Sequence, residues 1–459
     1  MGKSEEYDDI PVYEGTNENM PLLTYHKLKR SLAPSSDKTL TFATASLTAS
    51  TCAQPSNDRH VSSLIAGWSI SSVIQGTGIL GIPFAVQQGG WVGVAMIFIV
   101  AWICGHTAKL LIRSMYETSR YSGSKHRIRV NFPEIGNAAF GKPGRVFVEV
   151  IQTIEMFGVT IMCIILLGAT TKDLLKGTLE LSFDETAAVT SIFILPLLFV
   201  KRVSIISILS AVAGVSCVLA VITFLAFATY HHTEWRLSNI QTFNYQTFPI
   251  GFGVIVLSYC GHAAFPSIEG SMKRPHHYDA AVNTSFFLAA IVRGSFGVCW
   301  VLLYGATTDQ VATVNMTEAT FGTTATVLVM LNALLILPLV LRVVSELFDQ
   351  KLLKFFPHMN EGSGYNWLWL LITRPLLLGF GLLISVLVPQ FGLVMGFVGN
   401  ISGTFLSFIF PCVFYMKIHW RNVQTFEVII NCLITLFGGL VGTMGMIFSG
   451  KELIKSFLK

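Results

Sequence analysis

Charge is what this chain has least of. Asp, Glu, Lys and Arg together make up 12% of its 459 residues, about half the share found in soluble domains. A protein with so little charge cannot keep most of its surface wetted. Its basic residues are dispersed through short loops, which excludes nucleic acid as a partner. Paired cysteines are also missing. None of the eight cysteines has CxxC spacing, and all but Cys52 sit in apolar runs, so neither a disulfide framework nor a metal site is expected. The polar first stretch lacks the apolar core of a cleaved signal. No nucleophile motif, metal cluster or cofactor loop occurs, so the chain reads as a non-enzyme with no cofactor.

Apolar sequence fills the space that charge leaves. Hydrophobic residues make up 52% of the chain, and the mean hydropathy is +0.61. Runs of about 20 apolar residues, the length that crosses a bilayer, fall near 63–87, 92–115, 146–168, 186–200, 203–230, 248–272, 283–304, 323–348, 366–388, 391–415 and 425–448. The expectation is an all-α polytopic membrane protein of about eleven transmembrane helices, with the lipid bilayer as its surroundings. Residues 1–61 read as a disordered cytosolic tail, 62–450 as the membrane domain and 451–459 as a short lumenal tail. Lys and Arg are concentrated in alternate loops: Arg113 to Arg145, Lys201-Arg202, Lys273-Arg274, Lys351 with Lys354, and Lys417 with Arg421. Positive loops stay in the cytosol, so the N-terminus is expected there and the C-terminus in the lumen. The sequon at Asn315 then faces the lumen as a glycosylation candidate.

Two of the spans are interrupted at corresponding places. The first contains Gln75-Gly76-Thr77-Gly78-Ile79-Leu80-Gly81-Ile82-Pro83, and the sixth contains Ser258-Tyr259-Cys260-Gly261-His262-Ala263-Ala264-Phe265-Pro266. Glycine and proline break helices, and freed peptide groups in hydrocarbon cost several kcal/mol each unless something satisfies them. The two spans begin five apart and run in opposite directions, the pattern of a 5+5 inverted repeat with one extra helix. Interrupted helices in matching halves point to a transporter's binding site. Free amides at a helix restart suit a carboxylate, and free carbonyls at a helix stop suit an ammonium. A zwitterionic amino acid matches both poles. The expected binding residues are Gln75, Gly76, Thr77, Gly78, Ser258, Tyr259, Gly261 and His262, with the amine near Ser258 and Tyr259. Ionisable residues inside spans are functional candidates by default. Glu155, His262 and Arg293 are therefore expected to couple or gate, Glu155 and Arg293 alternatively forming a structural ion pair.

The stretches Ser72–Ala85 and Phe265–Pro275 resemble the first-span and sixth-span signatures of the amino acid/auxin permease family. Within it the chain is most similar to the vesicular inhibitory amino acid transporters, which load GABA and glycine into synaptic vesicles. The resemblance implies a leucine-transporter-type fold, the proton as coupling ion, and a small amino acid substrate. Those transporters tend to carry lysine where Arg293 stands and lack a histidine at 262, and Ser72 replaces an asparagine common in the family. The tail holds Glu18-Asn19-Met20-Pro21-Leu22-Leu23, an acidic dileucine pattern (Glu18, Leu22, Leu23) of the kind clathrin adaptors read. The sequence thus leads to a proton antiporter that moves a GABA-like or glycine-like amino acid from cytosol into acidic synaptic or endolysosomal vesicles. The alternatives are a proton-driven exporter of lysosome or vacuole and a plasma-membrane symporter.

Overall fold

Gly76 and Gly78 interrupt the first span, and helix α1 (Ser63–Ile74) ends just before them. In the computed structural model, which describes residues 61–118, 125–199, 203–316, 319–352 and 366–458, a 3-10 turn over Thr77–Gly81 follows. Helix α2 (Ile82–Arg113) then takes Pro83 into its first turn, where a missing amide costs no hydrogen bond. α2 contains both the rest of the first span and nearly all of the second. They are joined at Gly90, whose φ of 61° is open to glycine and strained for other residues. The amides of Trp91 and Val92, displaced by that kink, donate to Gln241 O and Thr242 O at 3.0 and 3.4 Å.

A two-stranded hairpin, β1 (Tyr116–Thr118) and β2 (Lys125–Arg127), follows α2, with Tyr116 opposite Arg127. Helix α3 (Phe132–Leu175) starts at an Asn131 cap, whose side chain accepts from Glu134 N, and bends at Gly141, where φ is 68°. Helix α4 (Phe183–Leu198) begins with a capping box: Glu185 N donates to Ser182 Oγ, and Ser182 N donates to Glu185 Oε2. The fifth span is α5 (Val203–Tyr230). The sixth is two pieces, α6 (Phe248–Ser258) and α7 (Phe265–Ser271). Then come α8 (Tyr278–Tyr304), α9 (Ala319–Leu352) and α10 (Asn366–Leu387).

The tenth span is irregular. α11 (Phe391–Val398) passes through π-helical turns at Gly399–Gly403 and Phe405–Ile409 before α12 (Phe410–His419). The last helix, α13, runs Thr425–Phe457, so the stretch expected as a C-terminal tail is mostly its last two turns. Among the described residues, eight helical stretches are long and apolar enough to cross a bilayer. The three other expected spans are the two broken ones and α4, which is 16 residues long.

The broken spans run antiparallel. Val61 N donates to Ser271 O at 3.0 Å and Lys273 N to Val61 O at 2.9 Å, so the first span starts beside the end of the sixth. Their breaks meet at one depth, and α3, α5 and α9 pack together around them. At the Val61 end a second contact ties the hairpin to α7. Arg127 donates to Pro266 O at 2.6 Å and lies 3.7 Å from the Glu269 carboxylate, which also accepts from Tyr116 OH. Glu269 is 1% exposed, a buried acid held by a cation and a phenol rather than one reaching the membrane surface.

Candidate functional site

Both breaks open onto one cavity of about 150 Å³. A dry cavity of that size holds a guest of about benzene's bulk, comparable to a small amino acid. Gln75, Gly76, Thr77 and Gly78 form one wall, and Ser258, Cys260 and Gly261 another. The two backbone segments touch here: a Cβ placed on Gly78 would lie 2.8 Å from Ser258 Cα. Glu155 from α3 and Asn332 from α9 complete the lining. Each brings a bare acceptor. Glu155 is 4% exposed and Asn332 1% exposed, and neither Glu155 Oε2 nor Asn332 Oδ1 has a hydrogen-bond partner among the described residues. The Asn332 amide nitrogen donates to Ala213 O on α5 at 2.7 Å. The lone amide in the apolar run of α9 was the only sequence sign of Asn332; Cys217 and Ser210, which also line the cavity, gave none.

Arg293 takes the place expected for the substrate's amine. Its Nη2 donates to Ile74 O at 2.6 Å and to Ser258 O at 2.8 Å, and its Nε to Ser258 Oγ at 3.2 Å. These are the last carbonyls of α1 and α6, so one guanidinium joins the stops of both broken spans. Each helix C-terminus carries roughly half a negative charge, and two of them balance one buried cation. The Tyr259 ring, 4.4 Å below the guanidinium carbon, adds a cation–π contact. Glu155 is not within ion-pair reach of Arg293 among the described residues, so the structural ion pair does not form. At Ser258, where the substrate's amine was expected, the carbonyl and hydroxyl already accept from this resident cation.

Three expected residues stand behind the cavity wall. Tyr259 is fully buried beneath Arg293. Arg293 itself faces the carbonyls. His262, 0% exposed, turns toward the second span, where its Nε2 lies 3.0 Å from Thr107 Oγ1. The cavity wall between them is Cys260, beside the Glu155 carboxyl and accepting from Ser407 Oγ at 3.2 Å. Ser407 belongs to the second π-helical turn; such turns recur at functional sites. Asn315 does not line the cavity and is 9% exposed. Its amide nitrogen donates to Thr307 O at 2.9 Å and to the Asp309 carboxylate at 3.2 Å, and a glycan on it would displace both bonds. Glu18, Leu22 and Leu23 lie outside the described residues.

The family profile and the relatives in sequence agree on one family. The sequence profile described as transmembrane amino acid transporter protein matches residues 59–453. The vesicular inhibitory amino acid transporter of Xenopus tropicalis is 28% identical over 402 residues, covering 85% of this chain and 77% of that protein. The vesicular GABA transporter of Caenorhabditis elegans is 29% identical, covering 86% and 81%. An amino acid transporter of Arabidopsis thaliana is 27% identical, covering 82% and 66%. Among solved structures, the substrate-bound outward-open state of a Na+-coupled sialic acid symporter aligns with a TM-score of 0.48 at 12% identity, covering 90% of this chain and 94% of that one.

Proposed function

The chain belongs to the transmembrane amino acid transporter family, and from that premise we propose that it loads a small neutral amino acid of GABA or glycine size into an acidic vesicle by proton antiport. The observation that carries the reading is the composition of the cavity: amides of a helix restart on one side, and the unpartnered Glu155 carboxylate oxygen on the other. A substrate carboxylate is received at Gly76–Gly78, and its ammonium at Glu155. A carboxylate that binds either an ammonium or a proton, but not both, exchanges one for the other. Antiport follows when each form favours the opposite orientation of the transporter. One pH unit supplies about 1.4 kcal/mol per proton and 100 mV about 2.3 kcal/mol per charge, enough together to concentrate substrate by hundreds of times. The vesicular relatives and the dileucine at Glu18, Leu22 and Leu23 support a vesicle membrane reached through a clathrin adaptor, with the N-terminus in the cytosol.

Purified protein in liposomes with an acidic interior tests this. Labelled GABA, glycine and alanine should accumulate only with the proton gradient imposed, and Glu155→Gln should abolish accumulation while counterflow of bound substrate is weakened. Accumulation driven by the opposite gradient would instead establish an exporter or symporter, and indifference to every amino acid in the panel would overturn the substrate class.

A further inference from the structure

A second hollow lies on the outside of the bundle, between α2 and α8. It is a groove of about 740 Å³, within the ~300–1,000 Å³ range of small-molecule sites. Its sides are Phe98, Trp102 and Phe287, which are 47%, 60% and 68% exposed, and Gly105 and Ala290 leave its floor low. At one end stand His106, Lys109 and Asn283.

The dimensions match one membrane leaflet. Phe98 and Lys109 are eleven residues apart on α2, about 16 Å of helix, and half of a ~30 Å hydrocarbon core is ~15 Å. The polar end lies one turn from Arg113, the last residue of α2, where the apolar run of the helix gives way to charge. Charge is unbalanced at that end. Lys109 Nζ donates to Asn283 Oδ1 at 3.0 Å, and no carboxylate meets it among the described ion pairs. The neighbouring acids Asp279 and Glu427 lie 3.4 and 3.9 Å from Arg113. His106 is held by Asn431 Oδ1 at 3.1 Å and stacks on Trp102, which keeps the aromatic side upright.

We propose that this groove is a binding site for one anionic phospholipid, with an acyl chain lying from Lys109 to Phe98 and the headgroup on Lys109 and Asn283. A cation at the interface above an apolar trough is the chemistry that selects such a lipid. A neutral sterol would leave the Lys109 charge without an anion.

Native mass spectrometry of the full-length protein, released from nanodiscs of mixed phosphatidylserine and phosphatidylcholine, tests the site. One phosphatidylserine should be retained by the wild type. Lys109→Gln should lower that retention about fivefold, the worth of one basic residue at a membrane surface, and Gly105→Leu, which fills the floor, should remove it. A photoactivatable phosphatidylserine should label the peptides around Trp102 and Phe287. Equal retention in the wild type and Lys109→Gln, retention of sterol or phosphatidylcholine in place of phosphatidylserine, or labelling confined to other helices would each overturn the proposal. The readout needs no transport, so it stands or falls separately from the amino acid reading.

Discussion

Arg293 brings a full charge into the middle of the bundle and meets two helix ends there instead of a carboxylate. Its planar fork reaches Ile74 O, Ser258 O and Ser258 Oγ while its face rests on Tyr259, a combination that an ammonium cannot reproduce. Removing it leaves two buried carbonyls unpaired, at about 1–3 kcal/mol each. Arg293→Gln should therefore lower uptake by tenfold or more and reduce the Tm of the purified protein. Arg293→Lys should fall between the two, because it keeps the charge and loses the geometry. Uptake per inserted molecule together with a thermal melt measures both, and an unaltered Arg293→Gln would remove Arg293 from the junction. Glu155 is the complement of Arg293. It is a buried acid with a bare oxygen on the cavity side, held ready for a charge that arrives from outside.

At the scale of elements, the two breaks work because they touch. Gly78 lies against the backbone of Ser258 with no room for a methyl group, since its Cβ would approach Ser258 Cα to 2.8 Å. Forcing a side chain in costs about 1–3 kcal/mol and pushes the half-helices apart. Gly78→Ala should abolish uptake while surface biotinylation shows normal insertion. Gly439→Ala is the control: nothing lies within 4 Å of its Cβ, and uptake should be unchanged. Equal activity in both variants would separate the glycine contact from function. The π-helical turns of the tenth span serve the same junction. They bring Ser407 to Cys260 and Asn400 to Pro249 O at 3.0 Å, linking the tenth span to both ends of α6.

For the whole molecule, access to the cavity matters more than the cavity itself. The hairpin is tied to the broken sixth span through Arg127, which bonds Pro266 O and faces Glu269, while Val61 pairs with the end of α7. Breaking a buried charge pair by deleting one partner costs about 3 kcal/mol or more, which is large against the few kcal/mol that separate the states of a transporter. Arg127→Ala should shift the population toward opening on that side. Cys217 and Cys260 line the cavity, so a small membrane-impermeant thiol reagent applied from that side should label them severalfold faster in Arg127→Ala. Equal rates would show that the hairpin contact does not gate access.

Much of this was legible in the chain. Apolar length set the number of spans, because hydrocarbon admits only helices that satisfy their own backbones. Glycine and proline marked where two of those helices fail, because no other residues make a break so readily. Helix bounds were less legible: Gly90 joins two stretches that read as separate spans, and its bend depends on Gln241 and Thr242, far off in sequence, to accept the freed amides. The partners of the charged residues were not legible at all. Sequence showed that Glu155, His262 and Arg293 were buried in spans. Only the tertiary structure decided that Arg293 faces the carbonyls, His262 faces Thr107 and Glu155 faces the cavity. Direction of a side chain across a bundle depends on how helices far apart in sequence rotate against one another, and no local pattern records that rotation.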